Sequence, residues 1–184
     1  MRQALVSGFE EAGAALRNPD LAQSMYDAGA VVMDKVLLTL HGEEHRARRL
    51  LEFRVFRKNF FAYYERQVFP ATLRATLQPY LRAGRANLIE FGYRVTMNLT
   101  ADFAGIDRPA RTAEETERLL RLVMIFSEGA TLVHSTRDKE VVRAEVRAAL
   151  AEFDATFYRP SMQRRRDLLA RFAAGAITED ALPR

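Results

Sequence analysis

Residues 138–158 read DKEVVRAEVRAALAEFDATFY, and this stretch decides the fold class. Its apolar side chains recur every three or four residues, at Val142, Val146, Leu150, Phe153 and Phe157. Charged side chains occupy the positions between them, which is typical of an amphipathic helix with one buried face. Pro160 should end or kink this helix, and the same period predicts a further helix over 161–173 that stops before Gly175.

The rest of the chain has the same helical period, so the protein is predicted to be all-α or predominantly α. Thr112 and Glu115 form a capping-box pattern at the start of a helix predicted over 113–133. Further helices are predicted over 9–17, 43–56, 61–83 and 91–103. Two short pieces are predicted to be extended, a strand remnant at 4–7 near the N-terminus and residues 86–89. Residues 20–41 follow no regular pattern.

Composition excludes several classes of protein. The 184 residues are 48% apolar and 28% charged, which is the balance of a soluble globular chain of about one domain and not of a disordered one. The chain contains no run near the 18 or so apolar residues that a membrane helix needs. Because the sequence has no cysteine, it offers no disulfide, no thiolate nucleophile and no cysteine-ligated metal. We therefore expect a cytoplasmic protein.

The positive charge is concentrated in one segment. Residues 42–85 contain ten basic and four acidic side chains, whereas residues 1–41 contain three basic and five acidic ones, and the remaining residues balance. Nearly all of the basic side chains are arginines, whose planar fork matches carboxylates and phosphates. The segment thus indicates either an anionic ligand or acidic partner, or only a solvated helix face.

No catalytic or metal-binding residue is predicted in this chain. His41 and His45 have the spacing of two zinc ligands on a helix, but no third ligand follows, and the glutamates do not stand where a zinc protease has them. The glycines are scattered, so the sequence has neither a phosphate-binding loop nor a Gly-x-Ser-x-Gly turn. Paired glutamates lie at predicted helix starts, where the helix dipole favours them without any catalytic role.

The stretch 42–51, GEEHRARRLL, carries a more specific pattern. If a helix begins at Gly42, His45 and Arg49 lie one turn apart on the same face. An imidazole and a guanidinium side by side form a clamp for a carboxylate, with the arginine bonding in a bidentate manner. The alternative is an ordinary basic helix.

This pattern resembles a known family. Gly42-x-x-His45-x-x-x-Arg49, continued by two leucines and by Phe56, is similar to helix C of the cytochrome P-450 haem-thiolate monooxygenases. In that family the histidine and the arginine hydrogen-bond a haem propionate. The resemblance therefore implies haem as the cofactor, held in this chain by His45 and Arg49.

The resemblance extends along the chain in the order of the family's helices. Residues 9–19 resemble its helix B, 61–107 its helices D and E, 112–158 its helices F and G, and 164–183 the stretch before its long central helix. It covers only the N-terminal half of the family's domain. Residues 1–184 are thus expected to form a single partial domain without the haem-thiolate half.

The family implies a function for the parent enzyme and not for this chain alone. Such enzymes insert one oxygen atom into a small apolar organic substrate, with iron held by a cysteine that this chain lacks. Val36, Leu37 and Leu38 lie in the segment implied to form the substrate pocket, although plain core is an equally good interpretation. The implied partners are an acidic redox protein such as a ferredoxin, at the basic segment, and the missing C-terminal half or a complementary chain. Nucleic acid and membrane are not expected as partners.

Two other functions stay open at this stage. A helical one-component DNA-binding regulator has a similar length and helix content, but it needs a basic helix-turn-helix, and the first 41 residues are net acidic. A truncated, non-catalytic remnant would leave exposed the faces meant for its missing half.

Overall fold

The computed structural model describes residues 5–110 and 112–182, and over them the chain is helical with no β-strand. The prediction of a predominantly α protein is thereby confirmed. The α-helices are α1 (Phe9–Arg17), α2 (Ala30–Met33), α3 (Gly42–Glu52), α4 (Lys58–Tyr63), α5 (Phe69–Ala83), α6 (Leu88–Ala104), α7 (Ala113–Ala130), α8 (Lys139–Phe153) and α9 (Arg159–Ala173). Single 3-10 turns lie at Asp27–Gly29, Leu37–Thr39, Leu132–His134 and Glu179–Ala181.

The predicted strand remnant at 4–7 is wrong for residues 5–7, which have no regular secondary structure. A strand needs a partner for its backbone groups, and the described part of the chain contains none. Ala4, like Pro183 at the other end, lies outside the described residues.

Residues 86–89 are also not an extended piece, because α6 begins at Leu88. The carboxamide oxygen of Asn87 accepts hydrogen bonds from the backbone N–H groups of Ile89 (3.0 Å) and Glu90 (3.3 Å). Asparagine satisfies free N–H groups at a helix start in this way, so the cap sets the first turn earlier than the apolar pattern indicates.

Two pairs of helices, α4 with α5 and α8 with α9, each continue through a proline as one longer helix. A π turn at Asp154–Tyr158 joins α8 to α9 immediately before Pro160, and a π turn at Tyr64–Val68 joins α4 to α5 before Pro70. A proline ring clashes with the carbonyl four residues earlier in a regular helix, and a wider turn relieves this clash. Pro160 therefore interrupts the α-helical hydrogen bonding without ending the helix.

The core lies among α6, α7 and α8. One cluster of buried side chains joins these helices, and it comprises Met97, Ala101, Leu119, Leu122, Ala149 and Phe157. A second cluster, Leu132, Val142 and Val146, is covered by α2. Val142, Val146 and Phe157 belong to the predicted apolar face of 138–158, so that prediction is confirmed.

Ion pairs on the surface tie α7 to α8. Glu152 of α8 accepts hydrogen bonds from Arg118 and Arg121 of α7, each at 2.6 Å. Arg137, between the helices, donates to Glu145 of α8 at 2.6 Å. These hydrogen bonds hold the pKa values of Glu145 and Glu152 below the usual glutamate range.

We expect these carboxylates to make stability fall in acid. The unfolded chain takes up protons at the ordinary glutamate pKa, about 4.3, whereas the folded chain takes them up only at lower pH. The stabilisation is therefore fully present above about pH 5 and is lost as the pH falls through the folded pKa values. Urea unfolding of wild type and Glu152→Gln between neutral pH and about pH 3.5 should show a difference that shrinks on acidification. A difference that is the same at both ends would contradict this account.

Among residues 5–110 and 112–182, no helix has the length and apolar character that crossing a membrane requires.

Candidate functional site

Helix α3 starts where the sequence predicts and ends earlier. Gly42 opens it with φ +57°, a conformation that favours glycine, after extended backbone at His41. Glu43 and Glu44 lie in the first turn, where the helix dipole stabilises their negative charges. The helix ends at Glu52 and not at 56, because the chain turns there toward α4.

His45 and Arg49 lie one turn apart on one face of α3, as the spacing predicts. His45 is half-buried and Arg49 is exposed. Neither side chain has a hydrogen-bond or ion-pair partner among the described residues, whereas Arg46 and Arg48 pair with glutamates one turn away, at 3.7 Å and 2.7 Å. His45 and Arg49 are thus the two nitrogen-bearing side chains of α3 without an ion-pair partner among the described residues.

The predicted pocket residues Val36, Leu37 and Leu38 lie immediately before α3. The turn Leu37–Thr39 contacts α3, and the Thr39 hydroxyl closes it by donating to a backbone carbonyl oxygen of the preceding segment at 2.9 Å. Val36 and Leu37 are half-buried and Leu38 is exposed. The structure therefore brings these residues next to the helix of His45 and Arg49, but they line neither the cavity between α5, α6 and α7 nor the one beside Pro160.

A close backbone approach anchors the segment that leads to these residues. Gly29, in the turn before α2, packs on the end of α7 so tightly that an added Cβ would lie 2.4 Å from the carbonyl oxygen of Gly129. Arg143 of α8 donates to the carbonyl oxygen of Ala28 at 3.1 Å. Residues 27–33 are thus fixed on the α7–α8 pair, and sequence analysis missed this contact because the glycines are isolated and far apart in the chain.

The cavity between α5, α6 and the start of α7 has a volume of about 510 Å³ and lies away from all predicted site residues. Its polar side chains bind one another. Arg94 donates to Glu90 (3.0 Å) and to Glu117, and the Tyr80 hydroxyl donates to Glu90 (3.3 Å). Partial burial raises the pKa of Tyr80, which keeps its hydroxyl protonated as a donor. The network joins three helices, and only its Glu90–Arg94 spacing is visible in the sequence.

A second polar network holds the connection between α6 and α7. Arg108 donates to Asp102 and to the backbone and side-chain oxygens of Asn98, at 3.0 Å and 2.6 Å. Thr72 of α5 donates to the other carboxylate oxygen of Asp102. The Arg108 side chain is only 7% exposed, so the ion pair is shielded from water. Sequence analysis missed Arg108, which stands in a loop before a proline.

Within the described part of the chain, no group of three or more His, Cys, Asp or Glu side chains has the arrangement of a metal site.

Comparison with known proteins adds no family. No protein-family model, curated protein or solved structure matches the chain. The cytochrome P-450 resemblance stays a prediction from the sequence motifs.

Proposed function

We propose that this chain is the N-terminal helical part of a soluble cytochrome P-450-like monooxygenase, in which His45 and Arg49 hold a haem propionate. One observation carries the proposal. The two donors that match the family's motif are the ones on α3 without a partner, whereas Arg46 and Arg48 are paired within the helix.

The donor set fits a carboxylate. A guanidinium presents two parallel N–H groups to the two carboxylate oxygens, and an imidazole N–H one turn away adds a third donor to the same group. Because both side chains lie on one regular helix, their spacing is set before the anion arrives, which lowers the ordering cost of binding. The half-buried position of His45 strengthens its bond by excluding part of the water.

The remaining residues would act around this anchor. When bound and ligated by a thiolate, haem supplies the oxygen activation that inserts one oxygen atom into a small apolar substrate. The sequence contains no cysteine, so the thiolate comes from the C-terminal half or from a complementary chain. In this chain, Arg49 and His45 orient the propionate, and Val36, Leu37 and Leu38 form an apolar wall of the substrate pocket beside α3.

The charge distribution supports the expected redox partner. Residues 42–85 carry ten basic against four acidic side chains, and α3 opens this segment. Opposite charge steers association and fixes orientation, so an acidic protein such as a ferredoxin would dock on this side. Helix α3 itself carries three arginines and three glutamates, so on this proposal the docking surface lies in residues 53–85, directly after the haem anchor.

The clamp is tested by titrating the chain with metal-free protoporphyrin IX and following porphyrin fluorescence. The absence of iron removes any contribution from histidine–iron ligation. We expect the free acid to bind about tenfold or more tightly than its dimethyl ester, because charge-assisted hydrogen bonds contribute about 1.5–3 kcal/mol. His45→Ala and Arg49→Ala should each remove most of this preference.

Arg46→Ala is the matched control, since Arg46 lies on the same helix and is paired with Glu43. This variant should keep the preference for the free acid. Equal binding of the acid and the ester, or an equal loss in all three variants, would contradict the clamp and favour a truncated, non-catalytic remnant.

A further inference from the structure

The cavity between α5, α6 and the start of α7 has the size of a small-molecule site and an apolar surface within it. Its volume of about 510 Å³ falls within the range of roughly 300–1,000 Å³ that ligand cavities have. Small side chains leave this space open. They are Ala75, Pro79 and Ala83, spaced one turn apart on α5, and Ala113 of α7. These residues give a ligand an apolar surface to lie on.

A charged group of side chains lines the same cavity. Glu90 and Arg94 of α6, Glu117 of α7 and Tyr80 of α5 all belong to it. Arg94 binds both carboxylates, with its Nε–H donating to Oε1 of Glu90 at 3.0 Å and its Nη2 donating to Oε1 of Glu117. Because two carboxylates share one guanidinium, this group of side chains has a net negative charge.

The group also keeps free hydrogen-bond acceptors. The Oε2 atoms of Glu90 and Glu117 accept no hydrogen bond from the described residues. The Tyr80 hydroxyl donates to Oε1 of Glu90 at 3.3 Å, so its oxygen can still accept. The Tyr80 ring packs edge-on against Phe91, with the ring centroids 5.4 Å apart, which holds the hydroxyl in place. The cavity therefore offers a ligand three acceptors from three helices.

We propose that this cavity binds a small organic cation, an ammonium group carried on an apolar body. An ammonium has three N–H donors and no acceptor, which matches the free oxygens of Glu90, Glu117 and Tyr80. The apolar body lies against the small side chains of α5 and α7. The proposal does not rest on haem binding, since no residue of α3 lines the cavity.

The charges in the cavity do not favour an anion. The arginines of the described lining are Arg94 and Arg108, and both already bind carboxylates. An anion would have to displace Glu90 or Glu117 from Arg94, or Asp102 from Arg108. A cation instead adds its charge to carboxylates that keep their arginine.

The rim of the cavity favours a small ligand over a covering protein segment. The side chains of Glu90 and Glu117 are 48% and 54% exposed. A protein segment that covered them would remove water from both charges, at a cost that only well-placed opposite charges repay. Exposed apolar side chains that suit a missing half, such as Leu16 and Leu50, do not line this cavity.

Amide NMR of the isotope-labelled full chain tests the site with three probes of one shape. The probes are phenethylamine, the uncharged phenethyl alcohol and the anion hydrocinnamate. We expect saturable shifts in α5, α6 and the first turns of α7. Phenethylamine should bind about fivefold or more tightly than the alcohol, because it adds an ion pair to the same apolar contact, and hydrocinnamate should bind more weakly than the alcohol.

Charge variants identify the acceptors. Glutamine keeps the shape of glutamate without its charge, so Glu117→Gln should lower the preference for the amine over the alcohol. The double variant Glu90→Gln with Glu117→Gln should bind both probes equally. Glu140→Gln is the matched control, because Glu140 also pairs with an arginine on its own helix but lies outside the cavity, and it should keep the wild-type preference.

A size variant confirms the place of binding. Ala75 is an exposed residue of α5, so Ala75→Leu fills part of the cavity without disturbing the core, and it should weaken binding of the amine and the alcohol alike. Ala148→Leu on α8, exposed and outside the cavity, should bind as wild type does. Shifts that do not saturate or that lie elsewhere, equal binding of amine and alcohol by wild type, tighter binding of hydrocinnamate, or a double variant that still prefers the amine would each overturn the proposal.

Discussion

Gly29→Ala should destabilise the protein by about 3 kcal/mol, a large part of the stability of a domain this size. The new Cβ would lie 2.4 Å from the carbonyl oxygen of Gly129 and 2.8 Å from that of Ala130. Both obstacles are backbone atoms in or beside the last turn of α7, so no side chain can rotate away. Relief requires residues 27–33 to move off the α7–α8 pair, which uncovers Leu132 and the apolar side chains packed on it.

Urea unfolding followed by circular dichroism measures the loss, and hydrogen exchange locates it. We expect hydrogen exchange in residues 27–33 to be faster in the variant than in wild type. In the middle of α8 the exchange rates of the variant and of wild type should be the same. Gly92→Ala is the matched control, because a Cβ at Gly92 meets nothing within 4 Å and alanine favours a helix interior. The control should be about 0.5–1 kcal/mol more stable than wild type. Unchanged stability in Gly29→Ala would show that α7 and this segment are not in close contact.

The helices of this protein can be predicted from the sequence because their signals are local. The apolar face of 138–158 repeats at the helical period, and Thr112 caps α7 by accepting a hydrogen bond from the backbone N–H of Glu115 (3.2 Å). The π turn before Pro160 has no such signal, since its hydrogen bonds depend on how the proline ring meets the preceding turn. The strand predicted at 4–7 is wrong for residues 5–7, because β-propensity does not supply a partner strand.

The same distinction between local and long-range signals applies to the candidate site. The relation between His45 and Arg49 follows from a four-residue spacing on one helix, so the sequence predicts it and the structure has it. The approach of Gly29 to Gly129 and the burial of Arg108 depend on how distant helices pack. An isolated glycine or an arginine in a loop has no periodic pattern, so such contacts are visible only in three dimensions.

The fold separates a rigid part from an open part. The core joins α6, α7 and α8, whereas α1 and α3 carry exposed apolar side chains, among them Leu16 and Leu50. The clamp lies on α3, which contacts chiefly the turn before it. Binding of an anion there should therefore order α3 more than it changes the core.

Asp102→Ala should destabilise the protein by about 3–5 kcal/mol, the usual cost of removing one partner from a buried ion pair. The guanidinium of Arg108 stays in a site where its side chain is 7% exposed, and it loses its ion pair with the carboxylate of Asp102. Thr72 loses its acceptor at the same time, so α5 loses a contact with α6. The loss is measured as a lower urea midpoint with an unchanged slope, because the folded state keeps its compactness.

Two further variants separate buried charge from lost packing. The double variant Asp102→Ala with Arg108→Met removes both charges and keeps an apolar side chain of similar length, so it should recover most of the lost stability. Glu43→Ala removes one partner of the exposed pair with Arg46 and should cost less than about 1 kcal/mol. If Asp102→Ala costs no more than Glu43→Ala, the Arg108 site is open to water. If the double variant is as unstable as Asp102→Ala alone, packing and hydrogen bonding, rather than the broken Asp102–Arg108 ion pair, explain the loss.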